Sequence, residues 1–251
     1  MVNSKYTDLF IDFDDTLYDT HGNAVIALQE VFEAFNLGQW FPDPQVFYDA
    51  YWEANIDLWT RYAHDEITRD FLIVERFRRP LCVSEAFRAA ANSSSQSSGA
   101  GGTLFILHSS LELSDKFLDF CANKPGVVEG AHELMDYLRG KGYRMHLCSN
   151  GFHEVQYKKL AACGLRDYFQ TIILSEDAGA NKPSQQFFDY AFKVSGATRE
   201  TTIMIGDNLQ TDIIGAHDAG LDTILFNRWN VEPSDIPTHT VTKLSEIKGI
   251  L

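Results

Sequence analysis

Positive charge is scarce in this chain. Against 35 aspartates and glutamates stand only 21 lysines and arginines, a formal net charge of −14 with histidine neutral. A nucleic-acid polymer binds through a positive footprint that displaces its counterions, so no nucleic-acid partner is expected. The same field repels phosphorylated small molecules at long range, so an anion site here must carry its own local cation. Cysteine is sparse too. Cys82, Cys121, Cys148 and Cys163 form no CxxC pair and no zinc spacing, and read as buried or incidental thiols of a reducing compartment. No apolar run approaches the ~18 residues a membrane span requires. The stretch from Met1 to Asp8 lacks the charged-then-apolar layout of a signal peptide. These absences lead to the expectation of a soluble cytoplasmic protein, a monomer or small homo-oligomer, with no membrane partner. At 251 residues, 45% of them hydrophobic, the chain can build one large domain or two smaller ones with real cores.

What is present has a clear rhythm in the C-terminal half. Short apolar runs at 143–148, 171–174, 202–205 and 222–226, with a weaker one at 239–241, alternate with amphipathic stretches. The helical patterns start near Glu129 and at 153–162, 184–194 and 209–219, and Gly142, Gly164 and Gly220 follow three of them as stop signals. Strands alternating with helices of this length predict βαβ units and a parallel sheet covered on both faces. A first strand at 9–12 belongs to the same pattern, yet the next sheet strand begins more than a hundred residues later, far beyond a normal crossover. The spacing therefore predicts an α/β, Rossmann-like, doubly wound parallel-sheet core over 1–19 and 124–251, with an inserted helical domain over 20–123. Within the insert, Val25, Leu28, Val31, Phe32 and Phe35 share one helical face. Phe47, Tyr51, Trp52, Ile56 and Trp59 suggest a second helix, Phe71, Leu72, Val74 and Phe77 a third, and Phe117, Leu118 and Phe120 a fourth. The serine- and glycine-rich stretch 92–102 has the composition of a flexible linker, and the apolar run 103–107 reads as a short strand or an irregular plug.

The densest chemistry lies at the end of the first strand, in Asp12-Phe13-Asp14-Asp15-Thr16-Leu17. Two carboxylates about 4 Å apart repel by roughly 4 kcal/mol at an effective dielectric near 20, so three in four residues need a compensating cation or task. Three further clusters follow later strands: Ser149-Asn150-Gly151 after the second, Asn181-Lys182-Pro183 after the third, and Gly206-Asp207-Asn208 with Asp212 after the fourth. Each alone is ordinary turn chemistry. Four in order, each at a strand end where open α/β sheets take ligands, form a strong combined signal.

This set resembles the haloacid dehalogenase superfamily of phosphohydrolases, in the Asp12 to Thr16 loop, Ser149-Asn150, Lys182, and Gly206-Asp207 with Asp212; the insert sits where that family carries its cap. Finer features resemble its pyrimidine 5′-nucleotidase branch: Leu58-Trp59 with Tyr62 before Ile67-Thr68, Ser149-Asn150-Gly151-Phe152, Leu165-Arg166-Asp167-Tyr168-Phe169, and Ser175-Glu176-Asp177 leading to Lys182-Pro183. The resemblance implies that Asp12 attacks phosphorus to form an aspartyl-phosphate and that Asp14 protonates the leaving oxygen and then activates water. It also implies a Mg²⁺ site from Asp12, Asp207 and the backbone carbonyl of Asp14, with Asp212 orienting waters or neighbours. Ser149, Asn150 and Thr16 are the implied phosphate contacts, and Lys182 the cation that neutralises developing charge. Trp59 and Tyr62 are candidates to meet the substrate, a small phosphate ester, by stacking on a base, with bundle packing as their alternative role. Asp15, Asp19 and Asp177 receive no role.

Alternatives divide on Asp14. Halide displacement needs no protonated leaving group, and dehalogenases of this superfamily typically lack an acid at that position. A sugar phosphatase or phosphomutase would use both carboxylates. A non-catalytic phospho-receiver module also clusters aspartates with a lysine, but it is about half this length and separates its accepting aspartate from the acidic pair.

Overall fold

The computed structural model describes residues 5–93, 101–232 and 234–251. In chain order, β1 (Asp8–Ile11) is followed by five helices: α1 (Thr20–Ala34), α2 (Pro44–Ala63), α3 (Arg69–Val83), α4 (Glu85–Ser93) and α5 (Gly101–Ala122). Then come α6 (Ala131–Lys141), β2 (Arg144–Ser149), α7 (His153–Cys163), β3 (Thr171–Leu174), α8 (Ser175–Ala178) and α9 (Gln185–Ser195). The chain finishes with β4 (Thr202–Gly206), a π-helical turn (Leu209–Ile214), α10 (Gly215–Asp218), β5 (Asp222–Phe226) and β6 (His239–Val241). The residues separate into two units, Met1–Asn23 with Ala122–Leu251, and Ala24–Cys121.

In the first unit all six strands pair in parallel, in the order β3-β2-β1-β4-β5-β6. The period-two alternation of β1 explains why both faces are covered. Leu9 and Ile11 enter one apolar layer with Leu134 and Leu138 of α6 and Leu160 of α7. Phe10, between them, enters the opposite layer with Phe187, Phe188 and Ala191 of α9. This is the doubly wound α/β core expected from the strand–helix rhythm. Strand order runs outward in both directions from β1, and that switch point opens a crevice at the carboxyl end of the strand. Asp12 is the first residue beyond β1.

The second unit has an aromatic core of its own. Phe47, Tyr51, Phe77, Phe87 and Phe117 are all at most 4% exposed; the first three and Phe117 pack ring against ring, and Phe87 packs on Trp40 and Phe105. Its helices start where local chemistry dictates. The Asp43 carboxylate accepts the Gln45 N–H at 3.0 Å ahead of Pro44, and Thr68 caps α3 by accepting from Phe71.

Several expectations are corrected here. The apolar run 103–107 is neither strand nor plug but the first turns of α5. Its helical phase is real; short apolar runs do not distinguish strand from buried helix. Of the stretch 92–102, residues 94–100 lie outside the described residues, while its flanks are helical, closing α4 and opening α5. Val25 and Phe71, expected on helix stripes, are 36% and 42% exposed, and Ile56 is 66% exposed because it lies on the face of α2 opposite Phe47, Tyr51 and Leu58. The helix expected over 209–219 begins as the π-helical turn. Among the described residues no helix is long and apolar enough to cross a membrane.

Candidate active site

The ladder that forms the sheet also delivers the first carboxylate. The Asp12 N–H still donates to Ile205 O at 2.9 Å, so the residue leaves the sheet at a set height beside β4. The residue is 7% exposed, and its carboxylate meets Lys182 from the loop after α8. Lys182 Nζ donates to Asp12 Oδ1 at 2.7 Å, to Asp212 Oδ1 at 2.6 Å and to the Cys148 carbonyl at 2.8 Å, so all three of its protons are used. The Thr16 hydroxyl donates to Asp12 Oδ2 at 2.9 Å and accepts the Asp207 N–H at 3.0 Å, tying the loop after β1 to the end of β4. Trp229 Nε1 donates to Asp207 Oδ2 at 2.8 Å. Gly206 has a steric reason to be glycine, since a Cβ there would fall 2.3 Å from Asp212 Oδ2. The π-helical turn carries Asp212 to that close approach, and Asn208 N–H donates to its Oδ2 at 3.1 Å.

Asp12, Asp207 and Asp212 thus offer oxygen atoms within 4.8 Å of one another, against the one ammonium of Lys182. Electrostatics records the imbalance. Burial, then the Asp212 charge, pushes the Asp12 carboxyl well above its usual range despite the opposing pull of Lys182. Burial, then Asp212 and Asp15, pushes Asp207 up to about 7. Burial alone would lower Lys182, but the attraction of Asp12 and Asp212 outweighs it and holds the ammonium well above an ordinary lysine.

Asp14 stands apart from this group. Its Oδ1 accepts from Lys159 Nζ at 2.5 Å and from the Thr20 hydroxyl, and its Oδ2 accepts from the Gln156 amide. Burial works to raise its pKa, but Lys159 and these donors outweigh burial and hold it below the normal carboxylate range. The Gln156 amide also donates to Ser149 Oγ at 2.7 Å, linking the end of β2 to Asp14. Asn150, expected at phosphate, has another task in this structure. Its Oδ1 accepts the Lys182 N–H at 2.8 Å and its Nδ2 donates to the Lys182 carbonyl at 2.9 Å, which sets the backbone of the lysine.

The sequence matches the haloacid dehalogenase-like hydrolase family over residues 9–220. The chain belongs to that family. It is 31% identical to the HAD-hydrolase YfnB of Bacillus subtilis (strain 168), over 98% of this chain and 96% of that one. The crystal structure of YfnB bound to magnesium superposes with a TM-score of 0.80 at 30% identity, covering 99% of both chains. Pyrimidine 5′-nucleotidase YjjG of Escherichia coli (strain K12) is 30% identical over 98% of each chain, and pyrimidine 5′-nucleotidase PynA of Streptococcus pneumoniae (strain ATCC BAA-255 / R6) is 28% identical over 90% of this chain and 86% of its own.

For this haloacid dehalogenase-like hydrolase, the structure brings Asp12, Thr16, Lys182, Asp207 and Asp212 into one cluster, and Gln156 joins Asp14 to Ser149. The cluster fits a hard divalent cation: its donors are all oxygen, and two of its carboxyls are driven up by charge that one lysine does not balance. The Asp14 carboxylate lies outside that oxygen group. Trp59 and Tyr62 belong to α2 of the helical unit, where they form a half-buried edge-to-face pair with ring centroids 5.6 Å apart. Asp15 and Asp19 are claimed by Arg228, which donates to them at 3.2 Å and 3.0 Å. Sequence reasoning missed Gln156, Lys159, Arg228 and Trp229. A signal existed for the first two: they lie three apart on a helix that opens just past Ser149-Asn150-Gly151, so they share a face near that strand end.

Proposed function

We propose that the protein is a Mg²⁺-dependent phosphomonoester hydrolase working through an aspartyl-phosphate, with nucleoside 5′-monophosphates as its substrate class. The observation that carries this is the division of labour between Asp12 and Asp14. They are two residues apart, yet one faces the Lys182 cluster and the other is held by Lys159, Gln156 and Thr20. A carboxylate beside a fixed ammonium suits attack on a phosphoryl group whose charge that ammonium offsets. A second carboxylate, outside that cluster, is left to move protons; its donors favour the ionised form in the free chain, so it gains the proton it delivers when the negatively charged ester binds beside it.

In the first step an Asp12 oxygen bonds to phosphorus as the bond to the leaving oxygen breaks. The leaving oxygen takes that electron pair and a proton from Asp14. In the second step a water oxygen bonds to phosphorus, Asp14 takes a water proton, and the Asp12–phosphorus bond breaks to restore the carboxylate and release inorganic phosphate. Lys182 offsets the charge carried by the phosphoryl oxygens, and Ser149 Oγ with backbone N–H groups holds one of them. Mg²⁺, held by oxygens of Asp12 and Asp207 with the Asp14 backbone carbonyl as a further contact, would add charge neutralisation when bound. The presence of Asp14 favours phosphate esters over halide displacement. The choice of nucleotides among phosphate esters is supported by similarity to YjjG and PynA along most of the chain.

A phosphate-release screen over nucleoside monophosphates and sugar phosphates, with and without Mg²⁺, tests the reading. Asp12→Asn should abolish steady-state release while the protein keeps its circular-dichroism melt, since the change removes one of three crowded carboxylates. Near-wild-type turnover in that variant overturns the mechanism. Preference for sugar phosphates overturns the substrate class alone.

A further inference from the structure

Lys159 and Gln156 come from α7 and from none of the four strand-end clusters. Both are buried, at 6% and 0% exposure, and both end on Asp14. A buried ammonium is costly unless something holds it. Here the Asp14 carboxylate lies at its tip and the Tyr18 ring lies 5.1 Å away. Gln156 places one amide nitrogen between two oxygens, Asp14 Oδ2 and Ser149 Oγ, so the spacing of these groups is set by a single side chain. The turn makes room for it: a Cβ on Gly151 would lie 1.8 Å from Gln156 Nε2. Opposite, Thr20 donates to the Asp14 oxygen that Lys159 also holds. Asp14 therefore has donors on both oxygens from two elements, which restricts the direction in which its carboxylate can point.

We infer that Lys159 and Gln156 are positioning residues: they aim the Asp14 carboxylate at the leaving oxygen and keep it at a set distance from the Ser149 hydroxyl. The inference rests on the phosphomonoesterase reading above. Its consequence depends on the leaving group. A nucleoside leaves as a poor alkoxide and needs the proton from Asp14, whereas the phenolate of p-nitrophenyl phosphate leaves without one.

The test compares kcat/KM for a nucleoside 5′-monophosphate and for p-nitrophenyl phosphate, because this ratio reports the first phosphoryl transfer rather than the later hydrolysis shared by both. Lys159→Met should lower the nucleotide value by on the order of 10- to 100-fold, and p-nitrophenyl phosphate by no more than about three-fold. Lys159→Arg should recover part of the nucleotide loss. Gln156→Leu should show the same split to a smaller degree, and it carries the test if melting shows Lys159→Met to be unfolded. Equal losses on both substrates, or a nucleotide value at or above wild type, overturn the inference and leave the phosphatase reading standing. A wild-type chain that releases phosphate from neither ester overturns the phosphatase reading and this inference with it.

Discussion

Asp12 and Asp14 are chemically identical and separated by one phenylalanine, yet their surroundings drive them in opposite directions. Burial and a neighbouring carboxylate raise the first; an adjacent ammonium and two neutral donors lower the second. The spacing of Asp12, Lys182, Asp207 and Asp212 behind their strands was visible in the sequence; the separate surroundings of Asp12 and Asp14 were not, since two residues apart on an extended chain share one side. Nor were the partners of Asp14, because Lys159 and Gln156 read as ordinary polar positions of an amphipathic helix until the fold turns them inward. Trp229 is a similar case. It is 46% exposed and looks like a surface aromatic, but its indole N–H is spent on Asp207 Oδ2. Groups that hydrogen-bond a metal-binding carboxylate fix its orientation, and their removal typically costs about ten-fold or more in metal affinity. Trp229→Phe should therefore weaken Mg²⁺ binding by about ten-fold in isothermal titration calorimetry. Unchanged affinity would show that the indole merely covers the carboxylate.

At the scale of the element, β2 combines two jobs. Its carboxyl end presents Ser149, and its amino end carries Arg144 and His146 against Asp8 of β1. Arg144 donates to Asp8 Oδ2 at 2.7 Å, and His146 Nε2 lies 3.1 Å from Asp8 Oδ1. His146 is 1% exposed, and its Nδ1 is buried with no hydrogen-bond partner among the described residues. Burial lowers its pKa, with the Asp8 interaction only partly offsetting that. The unfolded chain therefore takes up this proton first. The contribution is fully present above the unfolded value of about 6.5 and is lost as pH falls from there through the lower folded value. Thermal melts should accordingly show wild type losing more stability than His146→Asn between pH 7 and pH 5. Parallel pH profiles would remove His146 from the account. The helical elements of the insert teach a different lesson. Their apolar periodicity identified α1, α2, α3 and the end of α5, where each helix stripe is long. It failed at 103–107, because five apolar residues carry too little phase to separate a strand from the start of a 22-residue helix.

For the whole molecule, the −14 charge and the local cations at the strand ends act at different ranges. Lys182 is buried and fully used, so it contributes little to the field that an approaching dianion meets. The excess carboxylates dominate at long range, and dissolved salt screens them. For a phosphate monoester, kcat/KM should rise by about two-fold as inert salt is added from low to physiological ionic strength. A fall would mean that a positive approach surface outweighs the net charge. The sequence by itself determined the α/β class, the parallel sheet with a long helical insert after its first strand, and the four strand-end clusters. These follow from apolar periodicity and turn chemistry, which act over a few residues and are written locally. Only the tertiary structure decided which side chain meets which. Strand order put β1 between β2 and β4, so that residues 170 and 195 positions beyond Asp12 share its cluster. Helix rotation put Gln156 and Lys159 on Asp14, and the loop after β5 put Trp229 on Asp207. Such pairings depend on packing between elements distant along the chain, and no local pattern encodes the register in which those elements meet.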